Sequence, residues 1–174
     1  GMGMYKSTEW MQPEHARRGL DVHAACQEVD DPLWGEDAIP DGLMGYVSAY
    51  KKFKADSCFK PCLIEHRVCS PIYGFAGTLD RTGSPCSGMI KDKLWLIDIK
   101  SGVKQPCDCL QTAAYMVALF EKEGWEKRGR WQRFAVYLSK DGTYKLDEHK
   151  NHTDKDVFLA ALLLYKWKQK GVLL

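Results

Sequence analysis

Three residues in the middle of the chain have the types and the spacing for metal-assisted hydrolysis: Asp80, Asp98 and Lys100. Asp98 and Lys100 lie two apart in KLWLIDIK (93–100), which reads as a strand, so their side chains share a face. Asp80 follows the apolar run IYGFAGTL (72–79) and meets them if the two strands are neighbours. Two carboxylates and a lysine converging on one point suit a hard cation such as Mg²⁺, which takes oxygen ligands and keeps waters for chemistry. Such an ion polarises a phosphate and activates a water, while the ammonium positions that water or offsets developing charge. The backbone carbonyl of Ile99 is a natural further ligand. An aspartate at a strand end is also an ordinary turn residue, and D-x-K alone is a common pattern. What singles this one out is its place directly after the apolar run Leu94–Ile97. A charged pair is unexpected there unless the strand ends at a site.

The elements that must position these groups follow from periodicity and turn signals. Residues 14–30 and 42–55 read as helices, with Leu20, Ala24 and Val29 on one and Leu43, Val47, Tyr50 and Phe53 on the other. CLIEHRV (62–68), residues 72–79 and residues 93–100 read as strands, with turns at Ser70-Pro71 and over Arg81–Gly88. Pro106 opens a helix that runs to about Glu123 and closes at Gly124. Arg133–Leu138 and Thr143–Leu146 flank Lys140-Asp141-Gly142, a hairpin signal, and residues 153–170 make a last helix. That order predicts an α/β fold with a central mixed β-sheet flanked by helices.

The bulk numbers suit one domain spanning residues 2–174. Gly1 ahead of Met2 reads as a remnant of a removed tag. A chain with 45% hydrophobic and 28% charged residues has the balance of a soluble globular protein. A net charge of +2 excludes a strongly basic nucleic-acid coat, so any such partner must be met by local charge. No apolar run approaches the roughly 20 residues of a membrane span, and no signal-peptide pattern opens the chain, so a cytoplasmic protein is expected. Seven cysteines, an odd number, argue against a disulfide framework and for free thiols. Cys58, Cys62 and Cys69, or Cys107 and Cys109, lack the C-x2-C spacing of common zinc sites.

Taken together, GFAGTLDR (74–81), LWLIDIKSG (94–102) and LQTAAY (110–115) resemble the PD-(D/E)XK nuclease superfamily, and within it the RecB-type exonuclease branch. The resemblance covers roughly residues 14–120 and implies a restriction-endonuclease-like core with Asp80, Asp98 and Lys100 as the catalytic set. Gln111 and Tyr115 match the branch's Q-x-x-x-Y helix, and their i, i+4 spacing puts them on one helix face. RRGLDVHAACQ (17–27) is similar to the branch's G-x-x-x-H helix, which implies a metal-bound nitrogen from His23; imidazole suits Mn²⁺ better than Mg²⁺. Glu65 stands where the family often has a glutamate on the strand before the aspartate, as a further metal ligand or the partner of a cation. His15, His66, His149 and His152 have no such context and read as surface residues. Ser101-Gly102 stands where many members have Thr-Gly, and the cysteines do not follow the spacing of iron–sulfur relatives.

The resemblance implies a Mg²⁺- or Mn²⁺-dependent DNA exonuclease acting on single strands or ends, of the kind carried by phages and mobile elements. A structure-specific endonuclease and a non-catalytic DNA-binding module on the same fold remain open, as does a protein outside the superfamily. Candidate DNA contacts are Arg81, Lys91, Lys93, Trp95 and Lys104, and a second cluster of Arg128, Arg130, Trp131 and Arg133. Lys166, Lys168 and Lys170 read as a solvated helix face.

Overall fold

A computed structural model describes residues 13–31, 39–85, 93–124 and 129–169. Helix α1 (Pro13–Asp30) opens on a proline, whose fixed φ suits a first helical turn. It turns Val22, Ala25 and Cys26 inward. A short 3-10 turn (Asp41–Leu43) leads into α2 (Met44–Ser57), which buries Tyr46, Val47, Tyr50 and Phe53. Cys58 takes a left-handed conformation and closes α2, with Phe59 N–H bonding back to the Lys54 carbonyl.

Five strands follow: β1 (Lys60–Ser70), β2 (Phe75–Ser84), β3 (Leu94–Lys100), β4 (Trp131–Leu138) and β5 (Tyr144–Glu148). They pair in chain order, antiparallel except for β3 and β4. The parallel pair is bridged by α3 (Asp108–Glu123), the crossover that parallel strands require. Helix α4 (Asp154–Gln169) packs on α3. The architecture is α/β, a five-stranded mixed sheet between helices, compatible with a restriction-endonuclease-like core.

Alternation along β3 divides the core. Ile97 and Ile99 face α1 and α2, where they join Val22, Tyr50 and Phe53. Leu96 faces α3 and meets Met116 and Phe120. Asp98 and Lys100 therefore point to the α3 side, and their spacing alone places them there.

One boundary differs from the sequence reading. Arg81–Gly88 has the look of a turn, yet Arg81–Ser84 continue β2, and residues 86–88 lie outside the described part. Arg81, Thr82 and Gly83 are buried. The arginine is tolerated because carboxylates neutralise it, and Gly83 lets β1 approach: a Cβ there would sit 2.1 Å from the Lys60 carbonyl oxygen. Regular alternation breaks at Asp80. Leu79 packs on Ala118 of α3, whereas Arg81, two residues on, lies near the Tyr50 ring of α2. Across the ladder Glu65 is left-handed, with φ 46, in the middle of β1. Such a conformation costs a non-glycine residue about 1–3 kcal/mol and persists only where the surroundings enforce it.

Candidate metal centre

The site lies where β2 and β3 part. Their ladder runs from Gly83–Trp95 to Arg81–Ile97 and stops. One further step would set Asp80 opposite Asp98. There the Asp80 side chain takes over the edge of β3: Oδ2 accepts the Ile99 N–H at 2.6 Å. The Ile99 carbonyl on the same edge is met by His23 Nε2 of α1 at 2.8 Å. With the proton on Nε2 donated to that carbonyl, Nδ1 is left to face Glu65 Oε1 at 3.7 Å and Asp80 Oδ1 at 3.5 Å. His23, Glu65 and Asp80 each offer a ligand atom within 4.8 Å of the others, a spacing that can hold a metal ion. The carbonyl oxygen of Ile99 keeps its second lone pair for an ion.

Asp98 stands beside this trio on the α3 side. It is fully buried, and neither carboxylate oxygen has a hydrogen-bond partner. Lys100 Nζ forms an ion pair with Asp98 Oδ2 at 2.8 Å. A buried carboxylate is costly unless something charged completes it; Lys100 does so at Oδ2, while Oδ1 has no hydrogen-bond partner and is left as a donor for a cation beside the trio. The lysine is held from the other side, donating to Gln111 Oε1 at 2.7 Å, and Gln111 Nε2 donates to the Tyr115 hydroxyl at 2.8 Å. Gly77 makes room for that tyrosine, since a Cβ there would sit 2.9 Å from Tyr115 Cε1.

The electrostatics follow from burial and like charge. Burial, then the neighbouring Asp98 carboxylate, pushes Asp80 up to about 7. Burial also raises Asp98, against the pull of Lys100. Burial opposes charge on His23, yet Glu65, Asp80 and the Ile99 carbonyl together hold its pKa above the ordinary value. Lys100 is likewise held up by Asp98 against desolvation. Glu65 is held low despite its burial by His23 and Arg81.

Arg81, read from the sequence as a DNA contact, is instead wholly buried. Nη1 donates to Glu65 Oε1 at 2.8 Å and to the Asp80 carbonyl at 2.7 Å, and Nε donates to Asp30 Oδ2 at 2.6 Å. Asp30 also accepts from Tyr50 and Lys54. Arg81 and Asp30 thus clamp the strained glutamate to the end of α1. Sequence reasoning missed this support, because Arg81 read as the first residue of a turn.

Other surface candidates are also engaged. Trp95 is half-buried, stacked near Phe59 and tilted against Phe134. Arg133 donates to the Cys109 and Asn151 carbonyls and to Asp154, and Trp131 packs edge-on to Phe120. Lys93 donates to the Gly129 carbonyl, Lys104 pairs with Asp147, and Arg130 is exposed but partnered. Lys91, Arg128 and Lys170 lie outside the described residues. His149 also departs from the surface reading: it is buried just after β5, its Nδ1 2.9 Å from the Thr112 hydroxyl. His66 is half-buried, His152 is exposed, and the side chain of His15 lies outside the described part. A cavity of about 860 Å³ between α3, β4 and the start of α4 shares no residue with the metal centre. The described cysteines are free thiols, and Cys86 lies outside them. Among the described residues no helix is long and apolar enough to cross a membrane.

The chain matches no protein-family profile and no curated protein sequence.

Proposed function

We propose that the chain is a metal-dependent deoxyribonuclease, an exonuclease that works on single strands or DNA ends with Mg²⁺ or Mn²⁺. The observation that carries the proposal is the His23, Glu65 and Asp80 trio, whose ligand atoms lie within 4.8 Å of one another, with the buried Asp98–Lys100 ion pair beside it. A divalent cation bound there would supply Lewis-acid polarisation of a phosphodiester oxygen and a water of lowered pKa. His23 Nδ1, Glu65, Asp80, Asp98 and the Ile99 carbonyl would hold it; a nitrogen in that set favours Mn²⁺ over Mg²⁺. Lys100, tethered between Asp98 and Gln111, offers a fixed ammonium for the charge that builds on the phosphate or for orienting the attacking water. Gln111 and Tyr115 keep that ammonium from turning wholly onto Asp98.

The test is cleavage of linear and circular, single- and double-stranded DNA with Mg²⁺, Mn²⁺ or EDTA, alongside Asp98→Ala. Metal-dependent loss of linear strands only, absent in the variant, is the expected result. Cutting of circles would make it an endonuclease on the same residues. Binding without cleavage would reduce the protein to a DNA-binding module. Full activity in Asp98→Ala, or in EDTA, would overturn the proposal.

A further inference from the structure

The metal centre reaches solvent through His23, Glu65 and Lys100, whose side chains are 27%, 28% and 24% exposed, while Asp80 and Asp98 are closed off. Beside this opening lies the face of the β1–β2 hairpin turned away from α3. Val68 and Leu79 pack with Ala118 of α3, so alternation turns Arg67 and Thr78 to the face on which α1 lies. Both are exposed, and the two are paired directly across the ladder. Arg67 stands two residues beyond Glu65 and Thr78 two before Asp80, so each is about 7 Å along its strand from a carboxylate of the centre. Glu65 is turned to His23 and Arg81 and leaves Arg67 alone. Among the described residues nothing else pairs with the Arg67 guanidinium. Both strands and the turn that joins them lie wholly within the described residues.

We propose that Arg67, with the Thr78 hydroxyl beside it, binds the phosphate next to the one the metal engages and so draws a DNA strand across this face of the hairpin. The inference rests on the nuclease reading of the metal centre. Charge carries the argument. The centre is built largely from carboxylates, which repel a polyanion, and its one ammonium, Lys100, is already held by Asp98 and Gln111. Arg81 is wholly buried between Glu65 and Asp30 and cannot reach a ligand. With a net charge of only +2, the chain must meet a phosphate backbone by local placement of cations. Arg67 has that placement: it is exposed, unpaired, and set by the strand ladder two residues from a metal-centre carboxylate. The guanidinium fork can take two oxygens of one phosphate, and a threonine hydroxyl is a common second donor to the same group. Contacts of this kind fix the register of a strand without reading its sequence.

The test is binding of a labelled single-stranded DNA oligonucleotide to the whole chain in EDTA, by fluorescence anisotropy between about 50 and 200 mM salt. Arg67→Ala is expected to weaken binding about tenfold, the loss of one charge-assisted hydrogen bond. It is also expected to lower the slope of log Kd against log salt by about 0.7, the share of one phosphate contact on a single strand. Arg67→Thr with Thr78→Arg moves the guanidinium to the directly opposite position and is expected to recover most of both, a rescue that damage to folding cannot imitate. Mn²⁺ titrations of the variants should match the native chain. Arg67→Ala that binds as tightly as the native chain, with the same slope, overturns the inference even if the chain cleaves DNA. A native chain that binds no oligonucleotide overturns it equally. Binding that depends on Arg67, without cleavage in Mg²⁺ or Mn²⁺, supports the strand contact and sinks the nuclease reading.

Discussion

Replacing Asp80 by asparagine should make the metal-free protein more stable, although it removes a residue from the heart of the site. The carboxyl is 4% exposed, and burial together with Asp98 moves its pKa from 3.8 to about 7. At 1.36 kcal/mol for each tenfold change in proton affinity, that displacement amounts to about 4 kcal/mol of destabilisation when Asp80 is ionised. The sign follows from proton binding. Between about pH 4 and pH 7 the folded chain holds a proton here that the unfolded chain has released, so metal-free stability falls as pH rises across that window. Above it the full cost applies. Asparagine keeps the shape and can still accept the Ile99 N–H through its amide oxygen, but carries no charge. In EDTA at pH 8, Asp80→Asn should therefore unfold at a higher temperature. The ceiling is about 4 kcal/mol, or about 8–16 °C at about 2–4 °C per kcal/mol for a chain of this size. At pH 4 the difference should vanish. Manganese should close most of that gap, because a ligand at a hundred times its Kd adds about 3 kcal/mol to a protein that binds it and nothing to one that does not. The assay is thermal unfolding of both proteins at pH 4, 6 and 8, with EDTA and with Mn²⁺. A variant less stable than the native chain in EDTA at pH 8, or an equal response of both to Mn²⁺, would refute the reasoning.

Other substitutions probe the supports. Lys100→Met should lower cleavage by about 10²–10³-fold, the usual cost of losing one preorganised electrostatic group. It should leave the far-UV spectrum unchanged, and undiminished single-turnover cleavage would count against the lysine's role. Arg81→Met strips Asp30 and Glu65 of their buried partner and should cost about 3–5 kcal/mol in urea unfolding. Arg81→Lys, which cannot reach both carboxylates as a fork, should fold better yet bind Mn²⁺ more weakly in a calorimetric titration. Gly77→Ala pushes on the Tyr115 ring and should cost about 1–3 kcal/mol. It should also shift the tyrosine's near-UV signal; a silent spectrum would show that the ring has room after all.

Much of this protein is written in local sequence. The period-two run of β3 places Asp98 and Lys100 on one face, and the i, i+4 spacing of Gln111 and Tyr115 places those two on another; both are consequences of backbone geometry. The order of elements and the mixed sheet follow from apolar periodicity and turn residues in the same way. Glu65 and His23 were visible only as positions in a resemblance, because nothing local brings residue 23 to residue 99. Tertiary structure alone sets the imidazole on the Ile99 carbonyl and turns it toward Glu65 and Asp80. The same holds for Arg81 and His149, which look like surface residues because charge and polarity are usually solvated. Each is buried where partners far along the chain meet it: Asp30 and Glu65 for the arginine, Thr112 for the histidine. Sequence determines what repeats with the backbone. Which distant groups neutralise one another, and so which charges can be buried, is decided only when the strands and helices close on each other.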